Sequence, residues 1–498
     1  MRSFFILFLS CFLTSSGLYA QETQMPRFEW PDHQVSAIFK DFLKAYNSNN
    51  QKKISAYVQK YHTRPVRMAR RMQQLFTQYG ALLPYQMTVQ RKDRLGLWFL
   101  GKDTKNWVEI TLFMNKKGDK IRGTGMMRGM RPKGLLPPYK AMAPSKMKAH
   151  LEAYLQNLSK QDHFSGAVLV AKDDQVLFEG AYGDRNKKKG LKNNLNTAFC
   201  LASTTKTFTA VAIAQLAEKG KLKFTDFISK YIPEYPKDIA QQVTIHHLLT
   251  HTSGIELDDY KPFNQAVQKA RSVEELLKAQ LKYMDHMNEN RRKNFKVLNK
   301  HDYSNENFSL LGVIIERVSG MSYAQYLEKN IFKPAGMNRS FADYTKLAQD
   351  HNQAMGYTFY DNDREFNPEK RQENTAFNDV IASPAGGVYS SVRDLYKYFR
   401  AINTGKLISP KMRAVLFNKQ TKVFDFKAIE AYESYGYGFH IQQAGKLKNI
   451  GHSGRKMGVG SRFEYFPAQD MYVIVLSNYG FPAHNPASHI RDLIEPND

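Results

Sequence analysis

Strand-forming patterns in this 498-residue chain gather at the two ends of one long region, with a helical stretch between them. From about residue 145 a helical pattern, Met147 to Leu158, leads into Gly166-Ala-Val-Leu-Val-Ala. A turn at Lys172-Asp-Asp-Gln follows, then Val176-Leu-Phe-Glu-Gly-Ala-Tyr-Gly, so the pair reads as a hairpin. Residues 205–400 are mostly helical in pattern. Near the C-terminus Gly438-Phe-His-Ile-Gln, Leu447-Lys-Asn-Ile-Gly-His, Ser461-Arg-Phe-Glu-Tyr-Phe and Tyr472-Val-Ile-Val-Leu-Ser return to strand patterns, and a helix follows around His489–Ile494. Terminal strands enclosing a helical middle predict one antiparallel sheet built from both ends, flanked by helices and carrying a helical subdomain. No internal repeat occurs.

The chain before this region has another character. Residues 21–140 hold 23 Lys and Arg against 8 Asp and Glu, so about a quarter of the chain carries more than half of the net charge of +26. Helical periodicity runs from Val35 to Tyr46, and Leu95-Gly-Leu-Trp-Phe-Leu and Trp107-Val-Glu-Ile-Thr-Leu-Phe read as strands. A small basic α+β domain is predicted over 21–130. Arg131-Pro-Lys-Gly-Leu-Leu-Pro-Pro-Tyr-Lys opens a proline-rich linker over 131–145, and 146–498 forms the larger domain. At the start, Arg2, the apolar run Phe4–Leu13 and Leu18-Tyr19-Ala20 have the layout of a signal peptide, 1–20. An exported, periplasmic or secreted protein is expected, with no transmembrane segment after cleavage and Cys200 as its one remaining thiol. The basic domain is then a solvated cationic face or a docking surface for anionic cell-envelope polymers. Nucleic acid is not an expected partner, because an exported protein rarely meets it.

Ser203-Thr-Thr-Lys206 stands at the head of a helical run closed by Gly220. Residues three apart on a helix share a face, so the lysine amine lies beside the serine hydroxyl, which needs a neighbouring base or cation to lose its proton. A helix N-terminus adds backbone N–H groups suited to an oxyanion. The motif alone is weak, since Ser145-Lys-Met-Lys148 matches it too and reads only as a polar helix start. Two later elements strengthen Ser203: Tyr303-Ser-Asn305 just before an apolar helix, and His452-Ser453-Gly454 at the end of a strand. A second Y-x-N, Tyr360-Asp-Asn362, lies in a polar turn and is set aside.

In this order, the three elements resemble the serine β-lactamase and penicillin-binding-protein superfamily, in its class C-related branch. The resemblance runs over about 160–480 and includes Phe164-Ser-Gly-Ala-Val-Leu-Val-Ala, Thr244-Ile-His-His-Leu-Leu-Thr-His-Thr-Ser-Gly, Ile331-Phe-Lys-Pro-Ala-Gly-Met and Ala385-Gly-Gly-Val-Tyr-Ser. It implies a β-lactamase/transpeptidase-like α/β (α+β) fold and a serine hydrolase acting through an acyl-enzyme. Ser203 would be the nucleophile, Lys206 the holder of its proton network, and Tyr303 the general base with a phenol pKa lowered by the neighbouring cation. Asn305 would bond the substrate amide or the lysine. His452 stands where many relatives carry the lysine of K-T-G, followed by Ser453 and Gly454. The N–H groups of Ser203 and Arg455 would form the oxyanion hole. Arg455 replaces a frequent glycine, a change that narrows the pocket or favours an anionic substrate. Esters, β-lactams and D-amino-acid peptides, including peptidoglycan-derived ones, are the substrate classes implied, with no cofactor. A catalytically retired binding protein on the same fold is the alternative.

The remaining features have plain readings. His246, His247 and His251 are close together, but no cysteine or carboxylate completes a metal site, so none is expected. No G-x-S-x-G occurs. Cys200 reads as a small core residue, and Tyr437 as strand packing or pocket lining.

Overall fold

The computed structural model describes residues 28–33, 35–128, 142–255, 261–286, 295–361, 365–367, 370–374, 383–426, 431–444, 446–480 and 484–494. The expected signal peptide and positions 131–141 of the expected linker lie outside these residues.

Eight strands form one antiparallel sheet. Their order is Thr421–Phe426, Ala431–Tyr435, His440–Ala444, Leu447–Lys456, Val459–Phe466, Met471–Ser477, Gly166–Lys172 and Gln175–Tyr182. The two ends of the region meet where Met471–Ser477 pairs with Gly166–Lys172, Ser477 opposite Gly166 and Val473 opposite Val170. Side chains alternate across a strand, and here both faces are covered, which is why these strands read as unbroken apolar runs. Val168, Val170, Val473 and Val475 pack with Leu151, Leu155, Ala487 and Ile490 from the helices Pro144–Lys160 and His484–Leu493. Ala167, Leu169, Ile474 and Leu476 face the larger core, which contains Phe208, Ile213, Phe308 and Ile314. Each buried Val, Leu, Ile or Phe among them contributes roughly 1.5–3 kcal/mol relative to exposure.

Two helices of that core position the site. Thr205–Glu218 is buried from Thr205 through Leu216, as its apolar residues on every side require. Asn305–Ser319 packs against it and ends at Gly320, whose φ of +71° suits only a residue without Cβ strain. The outer strands Thr421–Phe426 and Ala431–Tyr435 extend the sheet beyond the strands read from sequence.

The N-terminal region is α+β. Helices Ser36–Asn47, Gln51–Tyr61 and Pro65–Tyr79 cover a four-stranded antiparallel meander, Leu82–Arg91, Arg94–Gly101, Trp107–Met114 and Ile121–Arg128. It touches the larger region through polar contacts. Tyr154 Oη donates to the Thr104 carbonyl at 2.8 Å, and Asn485 Nδ2 to the Gln78 carbonyl at 2.7 Å. Among the described residues no helix is long and apolar enough to cross a membrane.

Candidate active site

Ser203 sits on a 3-10 turn, Ala202–Thr204, one turn ahead of the helix that the spacing placed it on. The turn is pinned by three hydrogen bonds, two of them to Ser461. Leu201 N–H donates to the Val388 carbonyl at 2.8 Å, Ser461 Oγ donates to the Leu201 carbonyl at 2.5 Å, and Thr204 and Ser461 share a hydroxyl contact at 2.8 Å. Ala202 is held at φ +47°, a conformation that costs a residue with a Cβ on the order of 1–3 kcal/mol and is kept only where the surroundings impose it. Gly454 explains how the neighbouring strand comes so close. A Cβ there would lie 2.0 Å from the Leu201 carbonyl oxygen and 2.8 Å from the Ser203 nitrogen, so only glycine fits.

Lys206 is fully buried, and its Nζ has three partners: Ser203 Oγ at 3.3 Å, Asn305 Oδ1 at 2.7 Å and the Ala385 carbonyl at 2.9 Å. Burial holds this amine well below the ordinary lysine range, Glu306 opposing and Lys456 adding to the effect. Two of the three partners only accept hydrogen bonds, so an amine with two N–H bonds turns its lone pair to the third, the Ser203 hydroxyl.

Tyr303 stands beside the pair: Lys206 Nζ lies 4.8 Å from its ring centroid, and its hydroxyl is near enough to Ser203 to feel it electrostatically. The sequence-based expectation of a lowered phenol pKa is corrected here. Burial raises it, outweighing the opposite influence of Ser203. Tyr303 keeps 42% exposure, so solvent blunts the desolvation. The Glu306 carboxylate adds to the rise.

His452 is buried beside them. Its Nδ1 faces the Ser453 carbonyl at 2.8 Å, which can only accept, so Nδ1 carries the ring proton and Nε2 accepts from Tyr435 Oη at 3.0 Å. Both ring nitrogens of His452 are thus engaged within the protein. Burial, then His440 and Lys206, hold its imidazole neutral to well below its ordinary range. Ser453 is partly exposed and Arg455 exposed on the same strand. The elements read as Ser203, Lys206, Tyr303, Asn305 and His452-Ser453-Gly454-Arg455 therefore lie around one place.

The histidine run divides into unrelated tasks. His247 completes a capping box with Thr244, and His246 Nδ1 contacts Tyr437 Oη at 2.7 Å, which makes Tyr437 a core partner. His251 stacks on Tyr303 with ring centroids 4.3 Å apart. Among the described residues no cluster of three metal-ligating side chains is present. Cys200 is buried, its Sγ 3.7 Å from the Gly386 carbonyl. Asn362 lies outside the described residues, and Tyr360 rests against Phe366. Sequence reasoning missed the Ala385 carbonyl, which leaves no side-chain signature, and Tyr435, whose aromatic cluster looked like ordinary strand packing.

These protonation states make a stability statement. Unfolded imidazoles titrate near 6.5, whereas folding holds His251 and His452 neutral far below that value by burial. Below about pH 6.5 these imidazoles bind protons in the unfolded chain and not in the folded one, so their contribution to stability is complete above that pH and is lost as it falls. The depressed Lys206 pushes in the same direction at higher pH. Tm measured by calorimetry is expected to drop steadily from pH 7.5 to 5.5; a flat profile would contradict neutral buried imidazoles.

A serine hydroxyl, a buried amine and a phenol gathered beside a central sheet define a site of the serine-hydrolase type. The family model described as Beta-lactamase matches residues 151–495, and the chain belongs to that family. It is 28% identical over 366 residues to a teichoic acid D-alanine hydrolase of Staphylococcus aureus (strain MRSA252), covering 72% of this chain and 78% of that protein. A penicillin binding protein from Bacillus halodurans superposes with a TM-score of 0.58 at 27% identity, covering 69% of this chain and all of that one. The octameric penicillin-binding protein homologue from Pyrococcus abyssi gives 0.60 at 28% identity, covering 70% and 78%.

Proposed function

We propose that this chain is an exported serine hydrolase that opens ester or amide bonds of D-amino-acid-bearing cell-envelope substrates through a Ser203 acyl-enzyme. The observation that carries the reading is the convergence of Ser203, Lys206, Tyr303 and Asn305. In the mechanism, Ser203 Oγ attacks the carbonyl carbon as its proton passes to the Lys206 amine. The oxyanion is held by the N–H groups of Ser203 and Arg455, each such donor contributing about 3 kcal/mol to the transition state. Tyr303, kept protonated, gives its proton to the leaving group as the bond to carbon breaks, and recovers one from the Lys206 ammonium. Water then repeats the sequence in reverse and frees Ser203. This allocation, with lysine as base and phenol as acid, follows from the opposite pKa directions of the two groups.

The substrate class is supported by two features. The engaged nitrogens of His452 leave no free cation at the K-T-G lysine position, which favours esters and peptides over efficient β-lactam turnover. The Staphylococcus aureus relative is a hydrolase of teichoic acid D-alanine by its name. The excess of basic residues in 21–140 suits anionic envelope polymers, which would bring such substrates to the site.

A panel of p-nitrophenyl esters, D-alanyl and L-alanyl esters, D-Ala-D-Ala peptides and nitrocefin, run on the purified chain, tests the proposal. Expected are ester hydrolysis faster than nitrocefin hydrolysis and a preference for D over L. Nitrocefin turnover outpacing all others, or no turnover of any, would contradict it, and the second outcome would favour a binding protein.

A further inference from the structure

We infer that His251 is the positioning residue for Tyr303, clamping the loop that carries the phenol on both flanks; the inference rests on the reading of Tyr303 as a proton carrier. Three contacts converge on that loop. The His251 carbonyl accepts from the Asp302 N–H at 2.7 Å, one residue before Tyr303. Its Nδ1 accepts from the Ser304 N–H at 3.1 Å, one residue after. Its ring lies nearly parallel to the Tyr303 ring, 30° between planes and 4.3 Å between centroids.

The backbone makes the same point independently. His251 caps the helix Ile245–Thr250 at φ +56°, a left-handed conformation that glycine or asparagine adopts with least strain. A fully buried imidazole occupies it instead. Because Nδ1 accepts a backbone N–H, the ring proton sits on Nε2, and that buried donor has no hydrogen-bond partner among the described residues. A residue serving only to end a helix would need neither the strain nor the unsatisfied donor. The titratable groups around the ring are Lys206, His301, His440, His452, Tyr303 and Tyr435. Burial above all, and after it the first four of these groups, disfavour a second proton on the ring, which leaves Nδ1 free to accept from Ser304.

The test uses His251→Gly and His251→Asn in the full chain, both suited to the left-handed backbone, with Tyr303→Phe as reference. For a D-alanyl methyl ester, whose leaving alkoxide needs the proton that Tyr303 would give, kcat of both variants is expected to fall about tenfold or more while KM stays within about twofold, because orientation and not binding is lost. The basic limb of the kcat–pH profile is expected to shift, and added imidazole to restore part of the His251→Gly rate by filling the vacated space. The Asn variant keeps the experiment decisive should the Gly variant not fold. Wild-type kcat and an unmoved profile in a folded variant, beside an inactive Tyr303→Phe, would overturn the clamp and leave the proposed function standing. Full activity in Tyr303→Phe would overturn the proton-carrier reading, and the clamp with it.

Discussion

Replacing Ser203 with alanine is expected to lower kcat for ester hydrolysis by about three orders of magnitude or more, with the protein still folded. The loss is large because the residue would supply the atom that bonds to the substrate, and a neighbouring water attacks without the alignment that the turn imposes. Stability should be spared. The hydrogen bonds that fix the turn run through Leu201, Thr204 and Ser461, not through Ser203 Oγ. Kinetics and a thermal melt on the same preparation check both parts. Wild-type turnover in the alanine variant would remove Ser203 from the chemistry.

Lys206→Met separates catalysis from stability more sharply. Methionine has nearly the length of lysine, and burying its thioether costs less than burying an amine. The variant leaves the Asn305 amide oxygen and the Ala385 carbonyl without their donor, so part of that gain is returned. The expected net result is a Tm close to the wild-type value at neutral pH, together with a fall in kcat of about two to four orders of magnitude, the span typical of general acid–base groups. Retention of more than a tenth of the activity would show that the serine proton leaves by another route.

Much of the architecture is legible because both faces of the central strands are buried. Gly166–Lys172 and Met471–Ser477 are apolar at nearly every position before the terminal Lys172 and Ser477, and that signal survives without their partners in view. The outer strands Thr421–Phe426 and Ala431–Tyr435 mix polar residues, Thr421, Lys422, Asp425, Glu433 and Ser434, with apolar and aromatic ones, so the same criterion passes over them. In the N-terminal region, Ile121–Arg128 contains two glycines and two arginines and gives little strand signal, although pairing with Trp107–Met114 makes it one.

The site divides in the same manner. Ser203, Lys206, Tyr303 and Asn305 are found by side-chain chemistry and order along the chain, because spacing on a helix and position before a helix are local properties. Their protonation is not local. Whether Lys206 is an amine and Tyr303 a phenol depends on burial by segments hundreds of residues away, and the expectation for Tyr303 fails on that account. The contacts of His251 are likewise invisible in sequence. They depend on Asp302 and Ser304 being folded back onto residue 251 across some fifty intervening positions.

The most direct measurement is the intact mass of the protein after brief exposure to a fluorophosphonate or a penicillin, followed by peptide mapping. The expected result is one covalent adduct per chain, located on Ser203, formed far more slowly in Lys206→Met and absent in Ser203→Ala. An adduct on another residue, or one that forms equally in Ser203→Ala, would contradict a serine acyl-enzyme at this site.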